Sequence, residues 1–156
     1  MDDVVALILS DHARVAGLFR ELEDAADNPV RLASVWTELC EVLLAHLGAF
    51  EEIFLLPLLG TMNDGSLSMR DLNAQKIDIL DAVAEARLQR PGSPLWWLAV
   101  RAACAAADRH ISSVETAGLP RFGQHAPEWA RQELGRQWSL FVTDLSSDDR
   151  GEVLPD

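Results

Sequence analysis

The chain has little cysteine, little positive charge and no long uninterrupted apolar run. Its two cysteines, Cys40 and Cys104, are too few for a disulfide framework in 156 residues and favour a reducing compartment. Thirteen basic against twenty-five acidic residues leave a formal charge of −12, which repels phosphate backbones and anionic membranes. We therefore expect neither a nucleic-acid partner nor a membrane partner.

Segments that would direct the chain to a membrane are also missing. The N-terminus opens with Met1-Asp2-Asp3, which is acidic where a signal peptide would be basic. The longest apolar run, Ile53 to Leu59, contains a proline and is far shorter than the roughly eighteen residues that a membrane span requires. These absences predict a cytoplasmic protein.

The sequence is instead rich in blocks of helical period. Its length, with 49% hydrophobic and 24% charged residues, is typical of one globular domain over residues 1–156. Within each block, apolar residues recur at steps of three and four, as on one face of a helix. The predicted helices cover about 2–24, 30–59, 68–89, 95–119 and 127–145, and an acidic tail, 146–156, is expected to fray.

Turn-forming residues set the predicted ends of these helices. Pro29 ends the first helix, Ser68 is the expected N-cap of the third, and Pro120 closes the fourth. No strand alternation competes with this reading. The pattern predicts an all-α protein, an up-down-up-down four-helix bundle over about 2–120 with an additional C-terminal helix.

A repeat of 64 residues relates the second predicted helix to the fourth. Both copies have a cysteine, a histidine six residues later and a glutamate five residues after the histidine. The pairs are Cys40 and Cys104, His46 and His110, and Glu51 and Glu115. The same interval leads from His12 on the first helix to Lys76, the only lysine in the chain, on the third.

This spacing places histidines and carboxylates together in the core of a bundle. Imidazole and carboxylate groups suit iron and manganese, whereas a thiolate-rich set would suit structural zinc. The predicted metal ligands are His12, His46, Glu51, His110 and Glu115.

Over about residues 4–120 the chain resembles the hemerythrin-like family, the HHE cation-binding domain. The resemblance rests on three motifs: Leu9-Ser10-Asp11-His12 followed by Leu18-Phe19, His46-Leu-Gly-Ala-Phe-Glu51-Glu52 leading into Pro57, and His110-Ile-Ser-Ser-Val-Glu115 leading into Pro120. It implies a four-helix bundle that holds non-haem iron, usually as a di-iron centre. It also implies a small ligand, O2, NO or peroxide, or a role in sensing iron.

The chain departs from the family pattern at the metal site. Family members commonly place a glutamate four residues after the histidine, where this chain has Phe50 and Val114. On an ideal helix a five-residue step turns a side chain by about 140°, against about 40° for a four-residue step. In the second helix the proline also comes one residue late, as a single-residue π-bulge would produce. At the place of the histidine expected on the third helix stand Ala74, Gln75 and Lys76.

Lys76 has two readings. In the interior it would pair with Glu51 or Glu115 and stand where a second cation would sit; on a rotated helix it would point to water. With three histidines and two acids, we expect one iron ion rather than two.

Two functions follow. The first is a hemerythrin-like protein that holds iron, one or two ions, and meets O2, NO or peroxide at an open coordination position, in a binding, sensing or protective role. The alternative is a metal-free bundle that serves as a structural, partner-binding or small-molecule-binding module. Neither requires turnover, and no catalytic residues are assigned, because the sequence has no nucleophile–base pair and no glycine-rich phosphate loop.

Overall fold

The structure, a computed structural model, describes residues 2–148, and these form helices without any β-strand. The helices are α1 (Val4–Asp24), α2 (Pro29–Ala49), α3 (Leu55–Leu59), α4 (Met69–Arg87), α5 (Pro94–Ser113), α6 (Leu119–His125) and α7 (Glu128–Asp148). Two π-helical segments, Phe50–Phe54 and Val114–Gly118, connect α2 to α3 and α5 to α6 without a break. The all-α prediction is confirmed.

Polar side chains start four of the helices. Asp3 accepts a hydrogen bond from the backbone N–H of the second residue of α1, and Asn28, Ser68 and Ser93 cap α2, α4 and α5 in the same way. Each satisfies a backbone N–H that has no partner inside its helix, a contribution of about 1 kcal/mol. The predicted Ser68 cap is confirmed.

The two π segments show that the 64-residue repeat is structural. Phe50–Phe54 and Val114–Gly118 occupy equivalent places in the two halves, since each bound differs by 64. The π-bulge predicted in the second helix is confirmed, and its counterpart follows in the fourth. The extra residue in a π turn makes a five-residue step cover an angle closer to that of a four-residue step in an α-helix.

Two predicted ends are wrong. Pro120 does not close the fourth helix, because it lies just after the π segment Val114–Gly118 and the chain continues through it as α6. The segment between the predicted fourth and fifth helices is therefore largely helical, and His125 is the exposed last residue of α6. The last helix continues to Asp148, three residues beyond its predicted end. The rest of the predicted tail, 149–156, lies outside the described residues.

α7 packs across α1 and α2 through close backbone approach. A Cβ added at Gly135 would lie 1.9 Å from the carbonyl oxygen of Asp2, and one at Gly48 would lie 3.2 Å from the ring of Phe141. Glycine is thus required where α7 crosses the beginning of α1. Trp138, one turn further along α7, is buried.

The core consists of two apolar clusters that meet at three histidines. One is built from α1, α2, α4 and α5, and the other from both π segments, α3, α6, α7 and residues near one end of α1, α2 and α4. His12, His46 and His110 lie where the clusters meet, and they are the only buried polar or charged residues in the part of the chain that the structure describes. Both cysteines are free thiols.

One continuous helix meets the criteria for a membrane span, contrary to the sequence reading. Pro29–Leu59 has 31 residues, a mean hydropathy of 1.8 in its most apolar window, and 39% of that window buried within the fold. The sequence analysis did not find this helix as a candidate span, because Glu51 and Glu52 interrupt the apolar run. In the structure the helix continues through both residues. Core helices meet the same criteria, and this helix contributes Leu39 and Leu43 to the core.

Candidate metal centre

Three histidines from three helices converge in the core. His12 comes from α1, His46 from α2 and His110 from α5, and each is at most 3% exposed. One ring nitrogen from each lies within 4.8 Å of the other two. The Nε2 atoms of His46 and His110 are 3.4 Å apart. The structure thus brings together the three nitrogen donors among the five predicted ligands.

Two of these imidazoles are held by carboxylates. His12 Nδ1 lies 2.9 Å from an oxygen of Glu115, and His46 Nδ1 lies 3.1 Å from an oxygen of Asp11. Because an ionised carboxylate can only accept, each Nδ1 carries the proton, and each Nε2 keeps its lone pair. This is the arrangement that carboxylates impose on metal-binding histidines in proteins.

Sequence reasoning missed Asp11 as a site residue. Asp11 precedes His12 directly, but its carboxylate serves His46 on the neighbouring helix. The only sequence signal was its place inside the Asp11-His12 motif, which does not tell which histidine it holds. Glu115 was predicted as a metal ligand, and it points toward the histidines despite the five-residue step because Val114–Gly118 is a π segment.

Two buried nitrogens of the cluster have no hydrogen-bond partner within residues 2–148: His12 Nε2 and His110 Nδ1. Leaving a buried polar atom unpaired costs about 1–3 kcal/mol, so each of these two nitrogens points to a missing partner of its own. A metal ion about 2.1 Å from each nitrogen would set nitrogen–nitrogen distances at no more than about 4.2 Å. The observed limit of 4.8 Å is within a small side-chain adjustment of that value. The donor set therefore fits a metal ion.

Burial keeps these imidazoles neutral. Desolvation, followed by the proximity of His46 and His12, lowers the pKa of His110 from 6.5 to about 3. Desolvation and His46 likewise lower the pKa of His12 to about 4, although Glu115 opposes the shift. At neutral pH both rings are uncharged, which is the form that binds metals.

Glu51 and Lys76 form an ion pair at the edge of the site. Lys76 Nζ donates to Glu51 at 2.5 Å, and the two side chains are 26% and 49% exposed. Lys76 is therefore neither fully buried nor fully solvated. Glu51 and Glu115 lie outside the group of three converging nitrogens, and their role as metal ligands stays a prediction.

The third predicted helix contributes no ligand to the group. Gln75, the alternative to Lys76 on α4, donates its amide to Ser113 at 2.8 Å and so ties α4 to α5. Where the resemblance predicts a histidine, α4 thus makes an ion pair through Lys76 and a hydrogen bond through Gln75.

Aromatic rings form walls beside the cluster. The ring of Phe50 lies 5.0 Å from that of His110, and Trp138 lies 5.5 Å from His46, measured between centroids. Trp138 was predicted only as part of the amphipathic extra helix. Both rings therefore pack directly against imidazoles of the cluster.

Compared with models of protein families, with curated proteins and with solved structures, the chain matches none of them. The resemblance to the hemerythrin-like family therefore rests on the three motifs themselves.

Proposed function

We propose that this chain is a hemerythrin-like metal-binding protein in which His12, His46 and His110 hold non-haem iron. In this proposal α1, α2, α4 and α5 form an up-down-up-down four-helix bundle, and α7 is the additional helix that covers one side of it. The bound metal supplies an open coordination position for O2, NO or peroxide. The role is binding, sensing or protection.

One observation carries the proposal. Two of three converging, buried imidazoles donate Nδ1–H to carboxylates, so that each keeps its Nε2 lone pair inside the core. Packing alone would leave His12 Nε2 buried without a partner among the described residues, at a cost of about 1–3 kcal/mol that a bound metal ion would remove. Metal-binding histidines have such partners almost always, and loss of the partner typically weakens metal affinity by about 10- to 100-fold.

The residues around the histidines have separate tasks. Glu115 and Asp11 hold the protons on His12 and His46. Phe50 and Trp138 pack against the rings of His110 and His46. Three nitrogen donors with no carboxylate in the group favour one ion over two. Imidazole also suits zinc, copper and nickel, so the identity of the metal is a separate outcome of the test.

The test is metal content per chain after expression in iron-supplemented medium, measured by plasma mass spectrometry. We expect up to one iron per chain in the parent and little in His46→Ala or His110→Ala. His125→Ala is the matched control, because His125 is exposed and bonds to the carbonyl of Arg121. Far-UV circular dichroism identifies any variant that fails to fold.

Isosteric changes at the carboxylates test the observation itself. Asp11→Asn and Glu115→Gln replace partly exposed groups and should preserve the fold, while weakening metal affinity by about 10- to 100-fold. Two tightly held irons with an oxo-bridge absorption band would contradict the single-ion proposal. The absence of any metal under all loading conditions would refute the metalloprotein proposal.

A metal-free module is the second candidate, and the aromatic packing favours it. Phe50 packs edge-on against His110, as core aromatic residues do. Lys76 also places a positive charge beside the cavity that His110 lines, which disfavours a second cation there. Metal analysis distinguishes the two candidates. A cytoplasmic location and the lack of nucleic-acid and membrane partners stay predictions from composition.

A further inference from the structure

A cavity of about 550 Å³ opens beside the histidine cluster, between α4 and the end of α2. One wall comes from α4, the other from α2, the first π segment and α3, and His110 of α5 joins them. Its apolar lining is Leu47, Phe50, Leu55, Met69 and Leu72. The cavity lies on the side where α4 contributes no ligand to the cluster.

The volume of this cavity exceeds what O2, NO or peroxide would occupy. A water-sized molecule takes about 30 Å³, and a diatomic gas is of similar size. Pockets for organic ligands span about 300–1,000 Å³ and combine an apolar lining with a few polar groups. The cavity therefore has the size and lining of a site for an organic molecule.

The polar groups lie at two ends that differ in exposure. At the mouth are Arg70, which is exposed, and Lys76, whose side chain is 26% exposed and pairs with Glu51. Arg70 makes no ion pair within the described part of the chain. Two cations against one acid leave the mouth with one net positive charge, which favours a single carboxylate.

At the buried end the cavity meets His110, which is 3% exposed and whose Nδ1 has no partner among residues 2–148. His46 keeps its Nε2 lone pair, so the 3.4 Å contact requires His110 to donate from its own Nε2. His110 Nδ1 is then an acceptor. If a metal takes Nε2 instead, Nδ1 becomes a donor. A hydroxyl group can donate or accept, so it fits both forms.

We propose that this cavity binds a hydroxy-carboxylate with an apolar body. Its carboxylate binds Lys76 and Arg70 at the mouth, its carbon chain lies along the apolar lining, and its hydroxyl bonds to His110 Nδ1. The site goes beyond the proposed metal function and does not depend on it, because every group that it uses is present without metal.

The probe is 8-hydroxyoctanoate, titrated calorimetrically into protein kept metal-free with a chelator. Comparison ligands are octanoate, which lacks the hydroxyl, and methyl 8-hydroxyoctanoate, which lacks the charge. A charge-assisted hydrogen bond contributes about 1.5–3 kcal/mol, so the ester should bind at least about tenfold more weakly than the acid. Octanoate should also bind more weakly than the hydroxy acid.

Variants assign each contact. Lys76→Met and Arg70→Met should weaken binding of the acid and leave that of the ester unchanged, while His110→Phe should remove the advantage of the hydroxy acid over octanoate. Arg109→Met is the matched control, since Arg109 is exposed, pairs with Asp78 at 3.7 Å and lies outside the cavity.

The single lysine gives a second readout. Amine acetylation can modify only Lys76 and the terminal α-amino group, so peptide mapping separates the two rates. Bound 8-hydroxyoctanoate should slow acetylation of Lys76 and leave the terminal rate unchanged, which provides an internal reference. Equal binding of acid and ester, or no protection of Lys76 at saturation, would overturn the proposal. Either result would leave the metal proposal standing, because the protein in this test carries no metal.

Discussion

Lowering the pH from 7 to 5 should destabilise the metal-free protein by about 4 kcal/mol through two buried histidines, His12 and His110. In the unfolded chain both imidazoles have a pKa near 6.5 and take up protons across this range. In the folded protein burial holds the pKa of His12 at about 4 and that of His110 at about 3, so both stay neutral. The unfolded state therefore gains protons that the folded state does not.

The sign and size follow from linkage. When folding lowers the pKa of a histidine, the fold has its full stability above the pKa of the unfolded chain. The free energy of unfolding then falls as the pH drops from that value toward the pKa of the folded protein. At pH 5 each unfolded imidazole is almost fully protonated, which favours unfolding by about 2 kcal/mol per histidine relative to pH 7. The result holds for any folded pKa well below 5.

Urea unfolding at pH 7, 6 and 5 with a chelator measures this loss. His110→Leu removes one of the two groups and should halve the loss, because His12 owes its lowered pKa to burial and His46 rather than to His110. His125→Leu is the control and should behave as the parent, since His125 is exposed. If the parent and His110→Leu lose the same free energy between pH 7 and 5, the reasoning is refuted.

Two further predictions concern packing and charge. Gly135→Ala should destabilise the protein by about 1–3 kcal/mol or more, because the new Cβ would meet the backbone oxygen of Asp2 at 1.9 Å. Gly17→Ala on α1 has its nearest foreign atom at 3.9 Å and should stabilise by about 0.5–1 kcal/mol; equal effects in thermal unfolding would contradict the docking of α7. Lys76→Met should cost at most about 1 kcal/mol in urea unfolding, since its ion pair is partly exposed, and a loss of about 3 kcal/mol or more would indicate a buried pair instead.

Local sequence was enough to predict the helices and several of their ends. Asn28-Pro29 and Ser68 act through their own backbone and that of the next few residues, so their effect can be read without any tertiary structure. The prediction from local sequence was wrong at Pro120, because a proline ends a helix only if the chain is α-helical before it. There a π segment precedes the proline, and the helix resumes.

The repeat also predicted which histidines would meet. His46 and His110 occupy equivalent places in two similar halves, and His12 lies at a matching depth on α1. A period in sequence is enough to infer this because helices of equal length that pack side by side bring equivalent turns to the same level.

Only the tertiary structure decided which carboxylate serves which group. Glu115 holds His12 across 103 positions of sequence, Asp11 holds His46, and Glu51 pairs with Lys76 rather than with a histidine. Such pairs depend on the rotation of each helix about its own axis, and a rotation of tens of degrees exchanges one partner for another.

The surface on which α7 packs could likewise not be predicted from the sequence. Its amphipathic pattern predicted a helix with one buried face but not the surface that it would cover. That surface was selected by the close approach at Gly135, and it brings Trp138 against His46. The sequence by itself thus determined the helices, the π-bulge in the second of them and the histidines at their common level. Tertiary packing alone, through helix rotation and approach distance, decided the carboxylate partners, the aromatic wall and the cavity beside His110.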